Sequence, residues 1–230
     1  MREGSGPDEP AVAPLLGGRA LAQAVDEVCR RAFVNRGYDL PRRGAIRLQI
    51  TSECWGWIGL NLGRSDDNTT VHPFVGIHCP TVQRIMARCY GKPYKTGSIA
   101  TFAMPFVEAA PDAPLPYFRF YQEDPIESGA EELAAAVDGH ARPFMVAHAG
   151  FDRLIAALTP AALHGGGRPQ RLAVMHYLTE GSERALRYLE DILSQSRARP
   201  GSLIAEDVGR FGEAFRAMIS SGELSKIVRK

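Results

Sequence analysis

A cysteine preceded by a histidine stands where a strand-like run gives way to a helix, at His78-Cys79-Pro80. A helix N-terminus favours negative charge, so a thiol placed there can be held partly as thiolate. A neighbouring histidine would supply the base that a thiol nucleophile needs. His72 lies on the same strand and the same strand face as His78. Six residues of extended chain separate the two by about 20 Å, so they cannot serve one thiol or one metal ion together. The alternative for Cys79 is a small buried residue at a strand–helix junction.

A second group of residues suits binding rather than reaction. Strand alternation over Tyr117–Tyr121 puts Phe118 and Phe120 on one face and Tyr117, Arg119 and Tyr121 on the other. The first pair reads as core, and the second set as an exposed aromatic and basic patch suited to protein contact or to stacking on bases. Trp55 and Trp57 add two aromatic anchors near the first hairpin. A third group is basic: Arg30, Arg31, Arg36, Arg42, Arg43 and Arg47. Residues 13–100 hold 12 Lys+Arg against 6 Asp+Glu, whereas residues 101–200 hold 9 against 13. Such a patch can meet phosphate, an acidic protein or the acidic half of the same chain.

Other chemistries lack their signatures. Asp66-Asp67-Asn68 does not complete a calcium loop and is better explained as a turn. Gly165-Gly166-Gly167-Arg168 lacks the Lys-Ser/Thr of a phosphate loop, and no G-x-S-x-G elbow occurs. The four cysteines form no C-x-x-C pair, which reads as buried free thiols. No metal and no cofactor is expected.

The elements that must position these residues follow from periodicity. Leu21, Val25, Val28 and Ala32 predict a helix over about 19–36, closed at Gly37. Ile46–Ile50, Trp57–Leu62 and Val71–Ile77 predict three strands joined by hairpins, the second turning at Ser65-Asp66-Asp67-Asn68. Pro80 opens a second helix with Val82, Ile85, Met86 and Cys89 as its apolar stripe. Ser98–Phe102 and Tyr117–Tyr121 complete the strands. After Ser128 the pattern is helical: Glu131–Val137 with a break at Pro143, Phe151–Leu158, a hairpin of Arg171–Thr179 and Glu183–Ser194, and a last helix over about Leu203–Ile219. The hairpin resembles a single tetratricopeptide unit, and one copy cannot build a solenoid.

The fold expected is therefore α+β: an antiparallel sheet of four to five strands with helices on one face and a helical C-terminal part. A disordered tail is expected over 1–12, the α+β core over 13–160, and the helical hairpin and final helix over 161–230. At 230 residues, 45% hydrophobic and a formal net charge of +1, the composition is that of an ordinary globular chain. No apolar run reaches membrane-spanning length, and the first residues lack the basic start and long apolar stretch of a signal peptide. A cytoplasmic location with no membrane partner is expected.

The order of elements resembles a group of uncharacterised bacterial domains of the immunity and defence-accessory type. The residues that carry the likeness are Gly37-Tyr38 closing the first helix, Trp57–Gly63, Pro73–Gly76 before a helix, and Arg142–Met145. It spans about residues 20–160 and brings no active-site residues. It implies a small cytoplasmic module that recognises another protein. The reading is thus a non-catalytic protein-interaction module using Trp55, Tyr117, Arg119, Tyr121, Arg42 and Arg43. A cysteine-dependent enzyme using Cys79 and His78, and a nucleic-acid binder using the N-terminal arginines, are the alternatives.

Overall fold

Strand alternation governs the sheet. A computed structural model describes residues 18–41, 44–95, 99–115, 117–163, 168–197 and 203–228. In it Ile46–Gln49 (β1), Trp55–Arg64 (β2) and Asn68–His78 (β3) form two consecutive antiparallel hairpins. The tight loop at Ser65–Asp67 is closed by Ser65 N–H on the Asn68 carbonyl (3.0 Å) and by the Asp67 carboxylate, which accepts from Ser65 and Asn68 side chains. β3 is long enough to pair twice on its outer side. Phe102–Pro105 (β4) pairs with its second half and Phe118–Tyr121 (β5) with its first, giving five antiparallel strands. The α+β class read from the sequence is the class observed.

The period of two divides the sheet into unlike faces. Ile58, Val71, Val75, Ile77, Phe118 and Phe120 point to one side and are buried. Helix α1 (Gly18–Asn35) packs on this side through Leu21, Val25, Cys29, Ala32 and Phe33, an i, i+4, i+8, i+11, i+12 stripe. It ends at Gly37, whose φ of 82° suits glycine, with Gly37 N–H on the Val34 carbonyl. Helix α2 (Pro80–Cys89) leaves the end of β3 with proline in its first turn, where the absent N–H needed no partner. A short helix, α3 (Phe106–Ala109), continues β4 and buries Phe106. Helix α4 (Ile126–Ala136) seats Gly129 against the Phe120 ring, and α5 (Arg142–His148) seats Met145 against Gly56. Each fully buried aliphatic chain contributes about 1.5–3 kcal/mol.

Two sequence expectations shift. Pro143 does not interrupt a helix; α4 passes through a π-helical turn at Val137–Ala141, and the proline then sits in the first turn of α5. β4 begins at Phe102, because Thr101 N–H bonds the Ile77 carbonyl and fixes the register from there; Ser98, the expected start of the strand, lies outside the described residues. Gly76 makes this pairing possible, since a Cβ there would lie 2.0 Å from the Phe102 carbonyl oxygen.

The remaining helices are α6 (Phe151–Leu163), α7 (Pro169–Glu180), α8 (Ser182–Arg197), α9 (Leu203–Ser220) and α10 (Glu223–Val228). The last of these was not expected from the sequence. Helix α7 is buried on most sides, at Gln170 and from Leu172 through His176, and touches α2, α6, α8 and α9. One continuous apolar cluster runs from Leu21 on α1 to Leu224 on α10. No helix among the described residues is long and apolar enough to cross a membrane. The expected tail at 1–12 lies outside the described residues.

Candidate binding face

The sheet face opposite α1 is the place where the sequence-derived residues converge. The cross-strand register puts Arg47 and Gln49 of β1 on it, with Trp55, Trp57, Gly59 and Asn61 of β2. Thr70, His72, Phe74 and His78 of β3, and Arg119 and Tyr121 of β5, share it. An antiparallel sheet can leave one face to water, and such a face is ordinarily polar. This one is aromatic. Trp57 lies flat along its own strand, and a Cβ on Gly59 would come within 2.6 Å of the indole ring. His72 and Tyr117 rings meet at 5.5 Å between centroids, and the Arg119 guanidinium lies 5.6 Å from the Tyr117 ring. Arg119 also donates to the Tyr121 hydroxyl at 3.2 Å. Tyr117 is 40% exposed, Asn61, His72 and Arg119 are exposed, and Phe74 and Tyr121 are half-buried.

At the opposite end of the face the aromatic groups are spent on each other. Trp55 is half-buried between the Arg47 guanidinium, 4.4 Å from its ring, and the His78 imidazole, stacked at 5.4 Å. His78 stacks in turn near Tyr94 at 6.3 Å, and Arg84 lies 6.0 Å beyond that ring. The column of Arg47, Trp55, His78, Tyr94 and Arg84 is cationic at both ends and aromatic between, which is the favourable polarity for cation–π contact. Trp55 is therefore a structural strut, while Tyr117, Arg119 and Tyr121 form a patch about 20–33 Å along β3 from it. Arg42 and Arg43 lie outside the described residues.

His78 is fully buried, and its hydrogen bonds fix its tautomer. The Ile99 carbonyl can only accept, so Nδ1–H donates to it (2.7 Å), and Nε2 accepts from the Tyr94 hydroxyl (3.1 Å). Burial holds the imidazole below its ordinary 6.5, against the opposing pull of the Ile99 carbonyl. Both nitrogens are thus engaged, and neither is hydrogen-bonded to the Cys79 thiol.

Cys79 is also fully buried. Its own N–H bonds the Thr101 hydroxyl (2.9 Å), and its sulfur lies 2.8 Å from that of Cys54, which sits opposite it across the β2–β3 hairpin. The contact with Cys54 and then burial push the Cys79 thiol far up, overriding the helix terminus. The same contact draws Cys54 down. Cys29 and Cys89 are buried and pushed up to about 12 by desolvation. The exposed thiolate beside a free imidazole that cysteine catalysis requires is not formed. Among the described residues no three His, Cys, Asp or Glu side chains cluster to hold a metal ion.

Of the N-terminal arginines, the four described ones each lie beside a carboxylate. Arg30 pairs with Asp26 (2.8 Å) and donates to the Gly44 carbonyl, Arg31 pairs with Glu27, Arg36 with Glu131, and Arg47 lies 4.0 Å from Asp39. The Trp55 column and the Cys54–Cys79 contact escaped sequence reading. A hairpin reflected about Asp66-Asp67 would have placed both pairs opposite each other. The Tyr94 and Ile99 contacts come from a loop with no such signal. No protein family, curated protein or solved structure matches this chain.

Proposed function

We propose that the protein is a non-catalytic interaction module that docks a partner protein on the open face of its sheet. The observation that carries this is the composition of that face: His72, Phe74, Tyr117, Arg119 and Tyr121 stand together, half-buried or exposed, on strands already fixed by the core behind them. A rigid aromatic and arginine patch loses little freedom on binding, which is the chemistry of protein hot spots. The resemblance to bacterial immunity and defence-accessory domains points the same way.

A protein fits better than a nucleic acid. A polynucleotide needs a track of cations for its phosphates. Here Arg47 is engaged by Trp55 and Asp39, and Asp66 and Asp67 occupy the loop beyond Arg119. In place of Tyr117, a photo-crosslinking residue in cells that make the protein should capture one defined polypeptide, and Arg119→Glu should abolish the adduct. Adducts to nucleic acid, or the same adducts with and without Arg119→Glu, would overturn the proposal.

A further inference from the structure

A cavity of about 340 Å³ opens at the end of the sheet, between α2, Lys92–Lys95, Ile99 and the first turn of α7. Its chemistry is one-sided. Lys92, Lys95, Arg168 and Arg171 line it together with His78 and Tyr94, and among the described residues no aspartate or glutamate does. Arg171 is half-buried and donates to the Thr101 carbonyl at 2.6 Å. Among the described residues neither Arg168 nor Arg171 nor Lys92 forms an ion pair with a carboxylate. Asp207, beside the cavity, is occupied: Tyr90 O–H and Gln170 Nε2 each donate to it at 2.9 Å, and Arg210 lies at 3.4 Å.

Arg171, half-buried, and Arg168, exposed, line the same cavity, and two like charges on one cavity wall repel each other unless an anion lies between them. The strain shows on Arg171, which burial and the like charge of Arg168 draw down to about 10. The group stays charged at neutral pH, so the repulsion persists. An oxyanion with several oxygens would satisfy both forks at once, because guanidinium donors match phosphate geometry in pairs. The volume exceeds what a bare ion needs and falls in the range of small-molecule sites. Met86, Pro93 and the rings of Tyr90 and Tyr94 give the remaining wall an apolar surface for an organic body.

We infer that this cavity binds a small organic phosphate, with Arg168 and Arg171 gripping the phosphate and Lys92 neutralising it from the rim. The site lies at the other end of the sheet from the patch of Tyr117, Arg119 and Tyr121, and its occupant is a metabolite-sized phosphate monoester.

The test is thermal-shift titration of the full chain in low-salt buffer with AMP, ribose 5-phosphate, citrate and uncharged adenosine. AMP or ribose 5-phosphate should raise Tm saturably, and adenosine should not. Arg168→Glu should lower the affinity at least about tenfold, the loss of one charge-assisted contact. Arg187→Glu, on the exposed side of α8, should leave it unchanged. Lys92→Gln serves as a second variant should Arg168→Glu alter the unliganded Tm. No saturable shift with either phosphate would overturn the inference, as would a shift indifferent to Arg168 and Lys92. A saturable shift with citrate alone would overturn the phosphate assignment.

Discussion

On the covered face of the sheet, Ile58, Val71, Val75 and Ile77 are fully buried under α1 and α5. On the open face of the same strands, Asn61, His72 and Arg119 are exposed while Phe74 and Tyr121 remain half-buried. The two sets alternate residue by residue, so the backbone cannot explain the difference. What differs is the company the side chains keep. The covered face is saturated by helices from its own chain. The open face carries aromatic rings in the half-covered state typical of surfaces that are completed by another molecule.

The comparison breaks most readily on stability. Ile58→Ala should cost about 2–5 kcal/mol in urea unfolding, the range for a buried aliphatic truncation, while Phe74→Ala should cost less than about 1 kcal/mol. Equal losses would mean that the open face is covered by its own chain. Thiol accessibility probes the covered side chemically. With a disulfide reagent such as DTNB, the folded protein should release almost no signal over minutes. All four cysteines should react once it is unfolded. A rapidly titrating Cys79 would revive the enzyme reading.

His78, at the boundary between the faces, sharpens the comparison through pH. Its folded pKa is depressed by burial, so the unfolded chain binds the extra proton first. The stability it contributes is present above about pH 6.5 and lost as pH falls from there through its lowered folded pKa. The urea midpoint should therefore fall below that pH in the native protein, and His78→Gln should flatten the fall. A small effect is expected at Gly59. A Cβ there meets the Trp57 ring at 2.6 Å, so Gly59→Ala should lift the indole at a cost of about 1 kcal/mol. A red-shifted tryptophan emission would report it.

Much of this architecture is legible in local pattern. The alternation of Ile58, Leu60 and Leu62 against Trp57, Gly59 and Asn61 assigns both faces of β2, and Phe118 and Phe120 against Tyr117 and Arg119 does the same for β5. Pro80 marks the start of α2 because proline constrains its own φ. What pattern cannot supply is contact between distant segments. The start of β4 depends on Thr101 meeting Ile77, and on Gly76 admitting a neighbouring backbone. The burial of Cys79 depends on Cys54 across the hairpin, and the engagement of His78 on Tyr94 and Ile99 from a later loop. The same limit applies to the arginines, whose carboxylate partners include Glu131, far along the chain. Trp55 looked like an anchor for a partner because its ring type is common at interfaces. Its neighbours Arg47 and His78 show it to be internal support.

The central claim is that the open face is completed by another protein. Hydroxyl-radical footprinting of the full chain, in extract of the cells that make it and in buffer, tests this directly. Phe74, Tyr117 and Tyr121 should be labelled several-fold less in extract, with Val146 and Val107, exposed elsewhere, unchanged. Protease treatment of the extract, inactivated before the protein is added, should remove the protection, and nuclease treatment should not. Equal labelling of the three aromatics in extract and buffer would contradict the account.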